Sequence, residues 1–575
     1  MTGTDKLGEL HGRDVIERVL ELADRAPERP LYIELFDGSE ESARLTAREL
    51  RDRAANLAGV LAEGGVKPGD VVLMIATPPC EFLVALVGCM WAGVIAAPIA
   101  FPRRVEHLKT RLEPVRANAG AVAVVAAPAS KEAEREVLDV LTEGTLPVFS
   151  TDAKASQPMA EPIAERDIAY LQYTSGSTSE PRGVIVDHSN LMANLETIRQ
   201  LLSMEEDSIN VSWCPLTHDM GLIMGALPSI YLGMLSVLMP PGAFIRRPLL
   251  WLKAFDRYRG THGYSPNFGY DLLVDRSKPE QRAELDLSSV KVLVNGAEPV
   301  RRRTGDRLNE AYAVAKLSPN AHAPSYGLAE ASVLVSATPA TRQGRVFTVD
   351  AAALEQNELV FVDADANVQV RELCGDGVLG KEYDARIVDP ETLEDLGEGR
   401  IGELWIKGPS VCRGYWKRDE MTKDAFGART KDGDGPFLRT GDLAFIKDGE
   451  LVICGRAKDL IVIHGRNLYP QDIELEVELS HDAVRSGGSA AFAVEEDDEE
   501  ALVVVAEVDG EPDEDEVKAA INGAVLREFE LRLKDVMLVP PLTVPKTSSG
   551  KKQRRATRKL WAEARQREVA GAGSS

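Results

Sequence analysis

Ile168-Ala169-Tyr170-Leu171-Gln172-Tyr173-Thr174-Ser175-Gly176-Ser177-Thr178-Ser179-Glu180-Pro181-Arg182-Gly183-Val184 opens as a strand-like apolar run and then changes character within a residue. From Thr174 to Ser179 it consists of hydroxyls around one glycine, and a cation follows at Arg182. Glycine lets the backbone turn and present N–H groups to an anion, while neighbouring hydroxyls and a guanidinium add donors and charge. The chemistry is that of a polyphosphate cradle. It is not a Walker loop, because GxxxxGK[ST] is absent. A Ser/Thr/Gly run also suits a plain linker, so the rest of the chain has to arbitrate.

On both sides of this stretch short β-branched runs alternate with helical ones. Strands are expected at Val71–Ile75, Val122–Ala126, Leu235–Met239, Lys291–Val294 and Ile401–Ile406, and helices at Ala47–Glu63, Lys131–Thr142 and Arg301–Val314. The alternation predicts α/β layers with largely parallel sheets. Phe82 to Phe101 is uncharged over about twenty residues, the length of a membrane span. Its pattern argues otherwise: Pro78-Pro79 and Glu81 precede it, Gly93 interrupts it and Pro98 lies inside it. A buried helix from Cys80 to Ala92 followed by a strand, Val94 to Phe101, fits better than a membrane span.

The chain has 575 residues, more than one hydrophobic core organises, so at least two domains are expected. An apolar fraction of 44% and a charged fraction of 27% are ordinary for a soluble protein. The formal net charge of −24 argues against nucleic acid or an anionic membrane as the main partner. Any anionic substrate then has to be met by a local cluster of donors and cations. Cys80, Cys89, Cys214, Cys374, Cys412 and Cys454 form no CxxC pair and have no histidine at zinc-finger spacing. They read as reduced, mostly buried thiols of a cytoplasmic protein. Met1 to Glu21 is charged throughout and does not read as a signal peptide.

Near residue 456 the texture changes. An acidic run, Glu495 to Glu500, sits between strand-like Ala490–Val494 and Ala501–Val508, and reads as a solvated hairpin. Lys546 to Arg567 is basic against the acidic whole. The expected division is a large N-terminal domain, 1–457, and a smaller C-terminal domain, 458–575.

Tyr173 to Thr178 with Pro181-Arg182-Gly183 resembles the signature of the adenylate-forming superfamily: acyl-CoA synthetases, luciferases and peptide-synthetase adenylation domains. Four more motifs follow in the order of that family: Tyr326-Gly327-Leu328-Ala329-Glu330, Arg439-Thr440-Gly441-Asp442, Gly455-Arg456-Ala457-Lys458-Asp459 and Ser549-Gly550-Lys551. The resemblance covers almost the whole chain. Within the superfamily it is most similar to fatty acyl-AMP ligases. That likeness is carried by Leu171-Gln172-Tyr173, Pro215 to Gly221, Ser265-Pro266-Asn267-Phe268, Asn295-Gly296-Ala297-Glu298-Pro299 and Gly465 to Asp472. The segment 346–375 looks like the insertion that sets these ligases apart, which in the family restrains the C-terminal domain and disfavours CoA. The implied fold is a large multi-subdomain α/β adenylation domain with a small mobile α+β C-terminal domain, hinged near Lys458.

The resemblance also implies roles. ATP and Mg²⁺ are the expected cofactors. Thr174, Ser175, Gly176, Ser177 and Thr178 would hold the β- and γ-phosphates, with Arg182 in place of the more usual lysine, a planar fork instead of a point charge. Gly296, Ala297 and Glu298 would line the adenine beside Tyr326, Gly327, Leu328 and Ala329. Glu330 would bind Mg²⁺, and Asp442 the ribose hydroxyls with help from Arg456. Lys551, carried on a flexible loop, would bridge the substrate carboxylate and the α-phosphate, with Lys552 as its neighbouring confounder.

His218, Asp219, Met220, Gly221, Asn267 and Phe268 would line the acyl pocket. His218 and Asp219 also read as an acid/base dyad; positioning is preferred, because a carboxylate is already ionised and adenylation needs no strong base. Gly375 to Gly380 matches GxGxxG, but Arg386-Ile387-Val388-Asp389-Pro390 reads as strand and turn where a dinucleotide site needs a helix.

The leading expectation is an enzyme, a fatty acyl-AMP ligase passing its product to an acyl carrier protein or peptidyl carrier domain. It is expected to be a monomer, with no nucleic-acid partner and no membrane span. An acyl-CoA synthetase, adenylation of a different acid for another nucleophile (with which Thr217 before His218 is consistent), and a silent binding protein are the alternatives. The last predicts loss of Lys551, Glu330 or Asp442, and all three are present.

Overall fold

Val71–Ile75 runs through a six-stranded sheet ordered Val148–Ser150, Ala123–Ala126, Val71–Ile75, Ile95–Pro98, Ile168–Thr174, Arg182–Asp187. Its strands are parallel except the last, Arg182–Asp187, which pairs antiparallel with Ile168–Thr174. The computed structural model describes residues 14–75, 78–100, 106–128, 132–142, 144–164, 167–174, 181–463, 465–496, 499–547 and 550–572. A second sheet has nine strands, of which the run His322–Gly327, Val292–Asn295, His262–Ser265, Ile209–Ser212, Leu235–Leu238, Pro30–Leu35 is parallel. Glu41–Thr46 closes one edge, and Leu334–Ala337 with Val378–Leu379 the other, all antiparallel.

Two helices link these sheets. Ala47–Glu63 starts at a reciprocal cap, Thr46 taking the Glu49 N–H while the Glu49 carboxylate takes the Thr46 N–H. Pro79–Trp91 packs on it and touches strands of both sheets. It is buried on almost every face, which is why its sequence is apolar all round and imitates a membrane segment. Among the described residues no helix is long and apolar enough to cross a membrane.

The expected elements form, with shifts of a residue or two. Val71–Ile75 and Ala47–Glu63 keep their bounds, whereas the strand expected over Val94–Phe101 is only Ile95–Pro98. The helix expected over Arg301–Val314 is Arg302–Tyr312, tightening into a 3₁₀ turn at Ala313–Ala315. Ile401–Ile406 becomes Gly402–Lys407 and belongs to a wholly antiparallel sheet, Asp384–Val388, Gly402–Lys407, Leu438–Lys447, Glu450–Arg456. "Largely parallel" therefore describes the two large sheets and not this third one. The GxGxxG segment forms the edge strand Val378–Leu379, and no helix follows it before Asp384–Val388. Gly377 there has φ +85°, and a Cβ on it would sit 1.9 Å from the carbonyl carbon of Ala337. The glycine serves sheet packing.

From Ile461 onward the chain builds its own core. Ile473, Val477, Val504, Ile521, Val525 and Val536 pack between the helices Pro470–Leu479 and Glu514–Phe529 and the sheet Val484–Glu496, Glu499–Val508, Leu533–Val539. The first two strands are antiparallel, as expected for the acidic hairpin. All six cysteines are buried and none is in a disulfide.

Candidate active site

The antiparallel pair Leu438–Lys447 and Glu450–Arg456 places Asp442 directly opposite Arg456. The Arg456 Nε lies 3.5 Å from Asp442 Oδ1. Tyr326 arrives from the nine-stranded sheet and donates its hydroxyl to Asp442 Oδ2 at 2.7 Å. Asp442 is buried, and its backbone N–H donates to Thr440 Oγ1 at 3.1 Å. Burial, then the Asp442 charge, pushes the Tyr326 phenol well above its ordinary value, so it stays a neutral donor.

Tyr326 leads through Gly327 and Leu328 into the 3₁₀ turn Ala329–Ala331, which presents Glu330. The Tyr415 hydroxyl donates to Glu330 Oε1 at 2.8 Å. The Arg182 guanidinium stands 5.8 Å from the centre of the Tyr415 ring. On the neighbouring loop Ala297 is held at φ +71°, a left-handed conformation that costs a non-glycine residue energy, between Gly296 and Glu298.

On the other side, the turn Thr217-His218-Asp219 leads into a π-helical turn, Met220–Met224, which includes Gly221. His218 Nδ1 and Asp219 Oδ1 are 2.7 Å apart, and the Met220 N–H also donates to that oxygen at 2.7 Å. Asp219 is held below the usual carboxylate range: burial alone would raise it, but His218, the Lys551 charge and the Met220 N–H together outweigh burial. Gln172 donates to the Thr217 carbonyl at 3.0 Å, tying this turn to the strand that enters the Thr/Ser loop.

Asn267 is buried; its Oδ1 takes the Asn295 amide at 2.9 Å and the Arg301 N–H at 3.1 Å. Phe268, next to it, meets the loop that carries Lys551. Gly550 has φ +87°, and a Cβ there would come within 2.5 Å of Phe268 Cε1. The Lys551 N–H donates to Thr547 Oγ1 and its carbonyl accepts from the Thr547 N–H, closing the loop.

In a chain of net charge −24, Lys551 and Lys458 both lie near Arg456, and Lys458 also near Arg182. Burial lowers Lys551 below the ordinary lysine value, and Arg456 lowers it further, against the pull of Asp219, Asp442 and Glu298. Lys458, in the 3₁₀ turn Ala457–Asp459, is lowered the same way by burial and by Arg456 and Arg182. Mutually unfavourable cations gathered in one place are what an anionic ligand offsets.

Lys551, Asp442, Arg456, Glu298, Asp219, His218 and Phe268 are thus brought together, with Tyr326, Glu330 and Arg182 alongside. Ser175, Gly176, Ser177, Thr178 and the Thr174 side chain lie outside the described residues. Tyr415, Gln172's bond to Thr217, and Arg301 were not picked out as site features from sequence. The position of Arg301, a cation just after Asn295-Gly296-Ala297-Glu298-Pro299, was the available signal; Tyr415 carried none.

Tyr326 and Glu330 thus stand at the carboxyl end of the parallel strand His322–Gly327, and Asp442 and Arg456 are brought to them from the antiparallel sheet. Residues 20–416 match the AMP-binding enzyme family, and residues 458–570 match the AMP domain of Disco-interacting protein 2-like proteins. The medium-chain-fatty-acid–[acyl-carrier-protein] ligase JamA of Moorena producens is 40% identical over 558 residues, 93% of each chain. The long-chain-fatty-acid–AMP ligase FadD32 of Mycolicibacterium smegmatis is 36% identical, over 86% of this chain and 85% of that one. A solved fatty acyl-adenylate ligase, from a study of the E. coli and L. pneumophila enzymes, superposes with a TM-score of 0.87 at 30% identity, covering 96% of this chain and 99% of that one. The L. pneumophila fatty acyl-adenylate ligase in complex with acyl adenylate and pyrophosphate superposes with a TM-score of 0.76 at 33% identity, covering 96% and 97%. The chain belongs to the AMP-binding enzyme family, and within it is a fatty acyl-AMP ligase.

Proposed function

We propose that this enzyme joins a fatty acid to AMP, releases pyrophosphate, and passes the acyl group to the phosphopantetheine thiol of a carrier protein. The observation that carries the reading is the buried Asp442, held by the Tyr326 hydroxyl at 2.7 Å and facing Arg456 at 3.5 Å, in an acidic protein that brings Lys551 to the same place. A carboxylate and a triphosphate repel, so the protein's task is positioning and charge neutralisation. The substrate carboxylate oxygen attacks the α-phosphorus, the α–β phosphoanhydride bond breaks, and pyrophosphate leaves with the electron pair.

In that step Lys551 lies between the carboxylate and the α-phosphate. Asp442 accepts the ribose hydroxyls, held in place by Tyr326 and Arg456. Gly296, Ala297 and Glu298 flank the base. His218, oriented by Asp219, positions the acid beside Phe268 and Asn267. Glu330 offers a hard oxygen donor suited to Mg²⁺, which keeps most of its ligands from water and phosphate and supplies charge neutralisation when bound.

After adenylation the C-terminal domain, beginning at Lys458, turns to admit the acceptor thiol. The segment 346–375 opposes that turn. Glu355 grips Arg466 through two hydrogen bonds of 2.6 and 2.9 Å, and Arg371 lies over the Phe529 ring. We place the enzyme in the cytoplasm as a monomer; its six buried, unpaired cysteines suit a reducing compartment.

The test is a panel of acids scored for pyrophosphate release and acyl-AMP, then offered CoA or a loaded carrier protein. Turnover with fatty acids and transfer to the carrier is the expected result. Acyl-CoA formation as fast as adenylation would replace the carrier by CoA, and no turnover with any acid in a folded, ATP-binding sample would end the enzymatic reading.

A further inference from the structure

Arg301 sits at the foot of the loop Asn295-Gly296-Ala297-Glu298-Pro299, and its backbone is pinned by Asn267 Oδ1, which also holds Asn295. Its guanidinium reaches out of the large domain to Glu478 Oε2 at 3.3 Å, on the helix Pro470–Leu479. Glu478 is buried, its side chain 2% exposed, and its other oxygen takes the Lys552 ammonium and the Ser489 hydroxyl, both at 2.8 Å. Lys552 also reaches Glu474 Oε2 at 3.0 Å, and Arg554 holds Glu474 through two bonds of 2.7 and 2.9 Å. The residue before Lys552 is Lys551, and Gly550 before that lies against Phe268, the neighbour of Asn267.

These contacts make one continuous path: nucleotide loop, Arg301, Glu478, Lys552, Lys551. Every charge on it is half-buried or buried, so each needs its partner. Lys552 and Arg554 with Glu474 and Glu478 are all carried by the C-terminal segment and travel with it in any rotation. Arg301–Glu478 spans the two parts and has to break when they turn.

We propose that Arg301 is a positioning residue for adenylation: its ion pair with Glu478 latches the C-terminal segment so that Lys551 stays in the site, and it is released for acyl transfer. The proposal rests on the assignment of Lys551 to the adenylation step. Arg301 acts through Glu478 and Lys552 and touches no reacting atom. In the rotated state the pair is broken, so the latch contributes to one half-reaction and not to the other.

The experiment separates the two half-reactions in the full-length enzyme. Adenylation is followed as pyrophosphate release under saturating ATP. Transfer is followed by supplying the synthetic acyl-adenylate of the preferred acid with pantetheine as acceptor. Arg301→Gln is expected to lower the adenylation kcat about tenfold or more while transfer stays within about twofold. Arg301→Lys should recover part of the loss, and in a cycle with Glu478→Gln the double variant should lose less than the product of the singles, in adenylation only. Unchanged adenylation in Arg301→Gln, or equal losses in both half-reactions, overturns the latch. Lys551→Ala is run in parallel. If it adenylates normally, the lysine assignment fails and the latch with it; if it is inactive while Arg301→Gln is normal, the latch alone fails.

Discussion

The Tyr326 hydroxyl donates to Asp442 Oδ2 at 2.7 Å across 116 residues of sequence, joining the nine-stranded sheet to the antiparallel one. Arg456 approaches the other carboxylate oxygen at 3.5 Å. Asp442 is thus oriented by two donors before any ligand arrives, and an oriented carboxylate suits a pair of hydroxyls. Asp442→Ala should weaken ATP binding about 10- to 100-fold, since hydrogen bonds to a charged group each contribute about 1.5–3 kcal/mol. Tyr326→Phe, which leaves the carboxylate in place but loosely held, should cost less. Calorimetric titration checks both; equal affinities in wild type and Asp442→Ala would remove Asp442 from the nucleotide site.

Lys551 is reached from a different direction. Asp219, Asp442 and Glu298 surround it, and burial with Arg456 keeps its ammonium more acidic than an ordinary lysine. Lys551→Ala should lower adenylation by about 10²–10³-fold, the usual loss on deleting a preorganised electrostatic group, with ATP affinity nearly intact. Because the protonated form does the work, a depressed value moves the alkaline fall in adenylation to lower pH than a free lysine would give. A pH profile of single-turnover adenylation tests this. An alkaline limb that stays in place in Lys551→Arg, whose guanidinium does not titrate there, would assign it to another group.

How much of this was legible beforehand depends on what each feature needs. Ala47–Glu63 was readable to the residue because Thr46 and Glu49 form a local cap. The helix Pro79–Trp91 was readable because proline begins it and Gly93, at φ +65°, ends it. The pairing of Arg439-Thr440-Gly441-Asp442 with Gly455-Arg456 was not, although both motifs were visible, because facing positions depend on strand register and a bulge between Leu443 and Ala444 shifts it. Arg301–Glu478 was illegible for a stronger reason: it joins residues 177 apart through a docking geometry that no local pattern encodes. Sequence motifs mark which residues carry chemistry; the contacts that hold them in place are long-range.

Glu330 is held at one oxygen by the Tyr415 hydroxyl, 2.8 Å away, and Tyr415 in turn lies under Arg182. Glu330→Gln keeps that hydrogen bond and removes only the charge. If the carboxylate serves a divalent cation, the Mg²⁺ concentration for half-maximal adenylation should rise about tenfold or more in this variant, with ATP affinity in the absence of metal unchanged. A magnesium titration of adenylation reads the shift directly. An unaltered metal dependence would leave Glu330 a structural partner of Tyr415.

Asp376 is buried, close enough to Asp442 to feel its charge, and accepts the Ile453 N–H at 2.8 Å. Burial raises it to about 8, with the Asp442 charge adding to the rise and the Ile453 bond opposing it. An aspartate with a raised folded value binds its proton more tightly in the native state than in the unfolded chain. Its contribution is therefore fully present below the unfolded value of about 4 and is lost as pH climbs from there toward 8, by an amount on the order of a few kcal/mol. Asp376→Asn mimics the neutral form and should flatten that decline, giving a higher Tm than wild type at pH 8 and a similar one near pH 4. Thermal melts across that range decide it; parallel curves at every pH would mean that Asp376 ionises freely in the fold.

The hairpin Val346–Asp350 and Val370–Cys374, with the short helix Ala351–Leu354, lies beside a further set of contacts to the C-terminal part. Glu355 takes two hydrogen bonds from Arg466 and offers its carbonyl to the Asn467 backbone and side-chain N–H at 2.8 and 2.9 Å. Gln369 donates to the Glu528 carbonyl at 2.6 Å, and Arg371 stacks on Phe529. Unlike Arg301–Glu478, these contacts run to Arg466, Asn467, Glu528 and Phe529, and through Arg371 to Asp472 at 3.9 Å, whereas Lys552 is held by Glu474 and Glu478, so weakening them should free rotation with little effect on adenylation. Glu355→Ala combined with Arg371→Ala is expected to keep adenylation within about twofold of wild type. The same variant should raise CoA thioester formation about tenfold, because a rotated state populated more often admits the thiol more often. The two rates are measured side by side with saturating acid and ATP. A double variant that adenylates normally yet forms no more acyl-CoA than wild type would show that rotation is not what excludes CoA, and would move the restriction to the acceptor's own path into the site.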